Sequence, residues 1–231
     1  RLLSSAASDV YKRQAKLRTG WHKDILPLMM ENLYDTKFLK FTGGEPFMIP
    51  HVRKIIKKLH EDEVSPAVRL SIITNGTIPI DDEMLKMLLT FRHVILLVSI
   101  DGIEDRFEYI RAGAKWKEVS ANLKNFQQIA MYNKNFDLNI NYLPMSINAA
   151  QDELAEQWAR SEGISFSKSV EIYRPNYLTY RSLKPNLRER YKIITNYDYN
   201  EKVYDELLKH MAIKDKLMGS DFKRACPEFF E

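Results

Sequence analysis

From Leu26 onward, short β-rich runs alternate with runs whose apolar residues recur at helical spacing. Phe38–Phe41 predicts a first short strand, followed by Thr42-Gly43-Gly44-Glu45-Pro46. Pro50 stands where a helix can begin, because its missing N–H would be unpaired there anyway. Val52, Ile55, Ile56 and Leu59 then fall at i, i+3, i+4 and i+7, one face of an amphipathic helix. Val68–Ile73 predicts a second strand and stops at Thr74-Asn75-Gly76, a turn signal. Asp81 and Asp82 suit the positive end of the next helix, which carries Met84, Leu85, Leu88 and Leu89. Val94–Val98 is a continuous apolar strand, the pattern of a strand covered on both faces, and it runs into Ser99-Ile100-Asp101-Gly102. Val119, Leu123, Phe126 and Ala130 mark one face of a further helix, and Leu138–Leu143 a further strand. The helix around Leu154–Trp158 ends near Gly163, a C-cap residue, and Ser167–Tyr173 predicts the last strand.

Strand–helix units joined by short loops imply an α/β fold with a parallel sheet and helices packed outside it. Ligands of such folds bind at the carboxyl ends of the strands, so the chemistry is expected along that edge. After Tyr173 the alternation degrades. Arg174–Leu187 is rich in Pro, Tyr and Arg, and Arg188–Ile194 and Glu201–Met211 read as helices, a tail that caps the sheet's mouth or forms an outer layer.

Composition narrows the picture only slightly. The 231 residues, 45% hydrophobic and 29% charged, are those of an ordinary globular protein with room for a well-buried core. No apolar run approaches the ~20 residues needed to cross a bilayer, and no secretory signal is visible. The net charge of +4 is too small to argue a nucleic-acid partner, the more so because Arg1, Lys12 and Arg13 in the first residues supply much of it. One cysteine, Cys226, excludes an internal disulfide framework and suits a reducing, cytoplasmic setting. Arg1–Gln14 (RLLSSAASDVYKRQ) resembles translated sequencing-adaptor sequence and is expected to be a non-native leader, a short natural helix being the alternative.

Gly43-Gly44-Glu45-Pro46 is the first candidate for chemistry. Glycines let backbone approach a ligand closely, proline stiffens the exit, and the glutamate offers a fixed anionic acceptor, so such a loop can hold an ammonium group or serve only as a turn. The histidines His22, His51, His60, His93 and His210 have no metal-ligand spacing and read as solvated or packed. Tyr173–Tyr199 interleaves tyrosines with Arg174, Arg181, Lys184, Arg188 and Arg190, which can grip nucleic acid but more often forms a packed outer layer. No specific nucleic-acid partner is expected. No Ser-His-Asp set, P-loop or dinucleotide fingerprint appears.

The order strand–GGEP, strand–Thr-Asn-Gly, strand–Ser-Ile-Asp-Gly and then Arg111 resembles the radical SAM superfamily. KFLKFTGGEPFMIP, LSIITNGT, VILLVSIDGIEDRFEYIRAGAKW and the terminal DFKRACPEFFE look closest to its twitch-domain members. The resemblance implies a partial (β/α) barrel over residues 15–173, lacking its first strand and cluster loop, with a C-terminal helical extension over 174–231. It implies that Gly43, Gly44 and Glu45, with Pro46 behind them, hold the methionyl amino group of S-adenosylmethionine. It assigns Ser99 and Asp101 to the ribose or carboxylate of that cofactor, and Arg111 to a two-point grip on the carboxylate. Thr74 and Asn75 would line the same mouth, and Leu143–Ile147 would offer an edge for adenine. Each has a plainer reading: Thr74-Asn75-Gly76 as a turn, Asp101 as a loop cap, Arg111 as a surface ion pair.

Radical SAM chemistry also needs a [4Fe–4S] cluster on a CxxxCxxC loop, from which an electron cleaves the cofactor to a 5′-deoxyadenosyl radical. No such triad occurs here, and Cys226 reads as an ordinary buried thiol. The expectation is therefore a truncated radical SAM enzyme whose full-length parent carries the cluster, takes electrons from a donor and acts on a peptide, RNA or small metabolite. This chain alone would be inactive. The alternative is a cluster-free module that binds a peptide, nucleotide or RNA without catalysis; a phosphate-handling barrel enzyme lacks any Gly-rich phosphate loop.

Overall fold

Strand and helix ends fall where local chemistry stops them. The computed structural model describes residues 30–231; the expected leader over Arg1–Gln14 lies outside the described residues. Five strands, β1 (Phe38–Phe41), β2 (Arg69–Thr74), β3 (His93–Ile100), β4 (Phe136–Tyr142) and β5 (Ser165–Lys168), form a sheet in that spatial order. It is a parallel sheet of the expected α/β class, with Phe41 opposite Ile72 and Thr74 opposite Val98 in the first two pairings. Helix α1 (Pro50–Glu61) starts on its proline and buries Val52, Ile55, Ile56 and Leu59, the predicted face. Helix α2 (Asp82–Leu88) is capped by Asp81, whose side chain accepts from the Met84 N–H at 2.7 Å. Arg53 of α1 reaches across to Asp81 and Glu83 and ties the two helices together at their exposed edge.

Three strands differ from expectation, β4 by starting two residues early at Phe136. In β3 burial alternates strictly: Val94, Leu96, Val98 and Ile100 are fully buried, whereas Ile95 and Leu97 are only half-buried. The run is apolar throughout, so the sequence could not tell a half-covered face from a covered one. The last strand starts two residues early and stops at Lys168, not Tyr173. Its entry is set by Gly163, at φ +69°, and by buried Ile164. Beyond Lys168 the chain stays attached to the exit of β4, with the Ser169 N–H donating to Tyr142 O (2.8 Å) and the Ile172 N–H to Pro144 O (3.0 Å).

The chain divides into two compact units whose boundaries cut across the strands. One comprises the described residues up to Ser99 together with Glu118–Ile140. Its core joins α1 and α2 to the buried faces of the strands through Ile56, Leu59, Leu70, Ile72, Leu88 and Leu96, with α4 (Trp116–Tyr132) adding Val119, Leu123 and Phe126.

The other unit comprises Ile100–Lys117 and Asn141–Glu231. It holds α3 (Glu104–Ile110), α5 (Asp152–Ser161), α6 (Pro185–Arg190), α7 (Glu201–Met218) and α8 (Phe222–Ala225). The tail packs into a shared core here: Tyr177, Leu178, Leu207, Met211, Phe222 and Phe229 lie against Tyr109, Ile110, Met145 and Ile147. The expected helix at Arg188–Ile194 ends instead at Arg190, and Lys192 beyond it takes a left-handed conformation (φ +51°). The helix from Glu201 runs on to Met218 and stops at Gly219, at φ +63°. Among the described residues, no helix is long and apolar enough to cross a membrane.

Charged groups inside this core are paired. Arg106 grips Glu228 through two parallel hydrogen bonds, 2.9 and 3.0 Å, and also donates to Ile147 O. Two buried ions survive there because each satisfies the other, and removing either would strand a charge. Lys214, 2% exposed, donates to Tyr109 O and lies 4.0 Å from the Tyr109 ring centroid. Burial lowers the Lys214 ammonium from 10.5 to about 8. An amine whose folded pKa lies below its unfolded one weakens the fold most at low pH, and that penalty is relieved as pH rises from about 8 toward 10.5. In urea unfolding, the stability of Lys214→Met relative to the parent should therefore fall by up to about 1.4 kcal/mol per pH unit between roughly pH 8 and 10. Parallel curves for the two proteins would show that Lys214 titrates normally.

Candidate functional site

A strand that ends in two glycines can turn its backbone where a side chain would obstruct it. Gly43 (φ +85°) and Gly44 (φ +63°) both take the left-handed conformation after β1, and nothing lies within 4 Å of where a Gly43 Cβ would stand. Gly43 is exposed and Gly44 half-buried, so their peptide groups border solvent at the carboxyl end of the strand. Pro46 is buried and opens the short turn Pro46–Met48.

Glu45 faces inward and is 1% exposed. Its carboxylate accepts from the Thr74 hydroxyl on both oxygens (2.8 and 2.9 Å), from the Asn75 N–H (2.8 Å) and from the Phe47 N–H (3.2 Å). A buried carboxylate needs such donors, because burial without them costs more than the fold can spare. Glu45 thus clamps the glycine loop to the end of β2. Thr74 also accepts from the Gly76 N–H (3.1 Å), and Asn75 Oδ1 accepts from the Thr77 N–H (2.9 Å) and hydroxyl (2.6 Å), a side-chain turn of the kind Asn favours. Gly76 has no substitute: at φ +75°, a Cβ would meet Val98 Cγ1 at 2.8 Å. Ser99 is half-buried, one residue past Val98, the register partner of Thr74.

Asp101 and Arg111 belong to the other unit and form a pair of their own. Arg111, the residue closing α3, places Nε 2.8 Å and Nη2 2.7 Å from Asp101 Oδ2. The pair is largely buried, so the plainer expectation of a surface ion pair describes the bond and not the setting. Sequence reasoning missed what fixes Asp101. Asn148 is fully buried; its Nδ2 donates to Asp101 O (3.1 Å) and Leu143 O (2.9 Å), and its Oδ1 accepts from the Met145 N–H (2.7 Å). Gln151 Oε1 accepts from the Ile103 N–H (2.8 Å) and lies 2.9 Å from where a Gly102 Cβ would stand. The signal was an Asn and a Gln in the mostly apolar segment after β4. That segment, expected as an adenine edge, buries Met145, Ser146 and Ile147.

No cluster fits this chain's residues. A four-iron cluster needs thiolates, the sequence has one cysteine, and burial pushes the Cys226 thiol well above its ordinary range, against thiolate formation. Among the described residues, no group of three His, Cys, Asp or Glu side chains could hold a metal ion. Several basic and aromatic residues of the tail are engaged internally. Arg181 lies 4.8 Å from the Tyr197 ring centroid, and Arg188 donates to the carbonyls of Leu183, Tyr180 and Tyr197.

The Glu45 clamp gives a direct expectation. Glu45→Gln sets an N–H donor where an acceptor is required and should lower the urea unfolding free energy by about 1–3 kcal/mol. Wild-type stability in that variant would show that the carboxylate does not hold the loop.

Solved structures give distant likenesses. A SuiB structure from Streptococcus suis bound to S-adenosylmethionine is 14% identical, with TM-score 0.45, over 83% of this chain and 41% of that one. The anSMEcpe structure with bound AdoMet and Cp18Cys peptide is 17% identical, with TM-score 0.47, over 86% of this chain and 53% of that one. The chain thus spans about half the length of these proteins. No curated protein sequence matches it. The Radical SAM superfamily profile matches residues 23–157, which include the glycine loop, the Thr74 turn, Ser99, Asp101 and Arg111. Covering more than half of the sequence, that match shows that the chain belongs to the Radical SAM superfamily.

Proposed function

We propose that this chain binds S-adenosylmethionine through the carboxyl ends of its strands, and that the enzyme it represents cleaves that cofactor reductively to act on a peptide, RNA or small metabolite. The observation that carries the reading is the Glu45 clamp: a buried carboxylate spends its acceptors on Thr74, Asn75 and Phe47, and the backbone of Gly43 and Gly44 is left bordering solvent. In this reading the carbonyls of that loop receive the methionyl ammonium, and Glu45 positions them without touching it. The motif resemblance assigns the carboxylate to Arg111, paired here with Asp101, and the ribose to Ser99. Bound S-adenosylmethionine supplies a sulfonium–carbon bond that one electron can break.

The electron step is assigned to a protein that carries the cluster thiolates, since this sequence has a single, buried cysteine. The twitch-domain assignment rests on the motif resemblance alone. A cluster-free binding module is the second reading, favoured by that same cysteine count.

Calorimetry on the full chain should show S-adenosylmethionine binding, weakened about tenfold or more by Arg111→Ala, since a buried charged contact to a carboxylate is lost. A folded sample that does not bind would remove the proposal. Anaerobic treatment with iron and sulfide should yield neither the broad cluster absorbance nor 5′-deoxyadenosine from this chain; production of either would overturn the reading of its cysteine content.

A further inference from the structure

Neighbouring strands share a ladder of backbone bonds only while both stay extended, and past their ends the buried carbonyls need other donors. β3 and β4 are neighbours in the sheet. They end at Ile100 and Tyr142, so the carbonyls of Asp101 and Leu143 are the first beyond each end. One side chain serves both. Asn148, fully buried, donates from Nδ2 to Asp101 O (3.1 Å) and to Leu143 O (2.9 Å), while its Oδ1 accepts from the Met145 N–H (2.7 Å). Its backbone is held as well, with its N–H donating to Met145 O (3.1 Å) and its O accepting from the Tyr142 hydroxyl (3.1 Å).

A side-chain amide carries two donors and one acceptor oxygen, and here all of them are engaged. The position is therefore chemically exacting. Asn148→Asp would turn oxygen toward a carbonyl where a donor is required, and Asn148→Ser is too short to serve all three partners.

The two carbonyls that Asn148 joins stand at the carboxyl edge of the sheet, where parallel α/β folds take their ligands. One belongs to Asp101, whose carboxylate holds Arg111. The other opens the segment that continues through buried Met145, Ser146 and Ile147. Gln151 supports the first of these from the same short stretch of chain. Its Oε1 accepts from the Ile103 N–H (2.8 Å), two residues past Asp101, and only a glycine at 102 leaves it room. All of these residues belong to the unit containing the tail.

We propose that Asn148 is the positioning residue that sets the separation between the Asp101–Arg111 pair and the Leu143–Ile147 segment, with Gln151 steadying the turn past Asp101. The inference rests on the S-adenosylmethionine reading, in which Arg111 takes the carboxylate and the segment borders adenine. Being fully buried, Asn148 acts through those groups and not by contact with the ligand. A ligand held at two ends gains from the second grip only when the receiving groups stand at a matching separation. Fixing that separation beforehand lowers the ordering cost of binding.

The test compares two ligands on the full chain by calorimetry: S-adenosylmethionine, which spans both ends, and 5′-methylthioadenosine, which lacks the amino-acid end. A smaller folded fraction divides both affinities by the same factor, so their ratio does not respond to destabilisation alone. In Asn148→Ser the advantage of S-adenosylmethionine over 5′-methylthioadenosine should shrink about tenfold or more. Gln151→Met, at a half-buried position, should shrink it severalfold, and it carries the test if Asn148→Ser does not fold. A second readout needs no ligand. The Arg111 Nε–H, bonded to Asp101, should give a slowly exchanging side-chain resonance in proton–nitrogen NMR spectra of the wild-type chain, identified by its loss in Arg111→Lys. That resonance should broaden or vanish in both variants. An unchanged ratio, an unchanged resonance, equal wild-type affinities for the two ligands, or no such resonance in the wild type would each overturn the proposal. If the wild-type chain binds neither ligand, the S-adenosylmethionine reading fails, and the resonance then decides whether Asn148 positions the pair.

Discussion

A carboxylate taken out of water must be met by donors, and at Glu45 that requirement fixes the loop around it. The donors that meet it come from two places in sequence: the Phe47 N–H just beyond it, and the Thr74 hydroxyl and Asn75 N–H at the end of the neighbouring strand. Satisfying one buried charge therefore sets the glycine loop against β2, orders the Thr74-Asn75-Gly76 turn, and leaves the Gly43 and Gly44 peptides at the sheet's edge. Gly76 completes the arrangement, because Val98 leaves no room for a Cβ there.

The second unit obeys the same rule with ions of both signs. Arg106 and Glu228 are far apart in sequence and meet in two-point geometry in the core, while Lys214 finds a carbonyl and a ring face. These contacts, with Tyr204 donating to Phe229 O at 2.8 Å, join the C-terminal residues to α3 and to the segment after β4. The tail is thus part of the core that carries Asp101 and Arg111.

Period and punctuation determined most of the elements from the sequence alone. The 3.6-residue spacing of Val52, Ile55, Ile56 and Leu59, the proline at 50, the aspartate cap at 81 and the glycine at 163 act within one or two turns of chain, so they need no tertiary context. The motif order from Gly43 to Arg111 likewise carried the superfamily, now shown by the match over residues 23–157.

Tertiary structure decided what depends on distant partners. That Glu45 spends its carboxylate on Thr74 and Asn75, that Arg111 pairs with Asp101, and that Asn148 holds Asp101 from 47 positions away are contacts no local pattern encodes. The end of β5 was misplaced for the same reason: Ser169 and Ile172 keep an extended shape by bonding to the β4 exit outside the strand, so propensity alone runs past the true end. Propensity and caps are short-range and additive along the chain. Burial and pairing are collective, and they exist only once the chain has closed on itself.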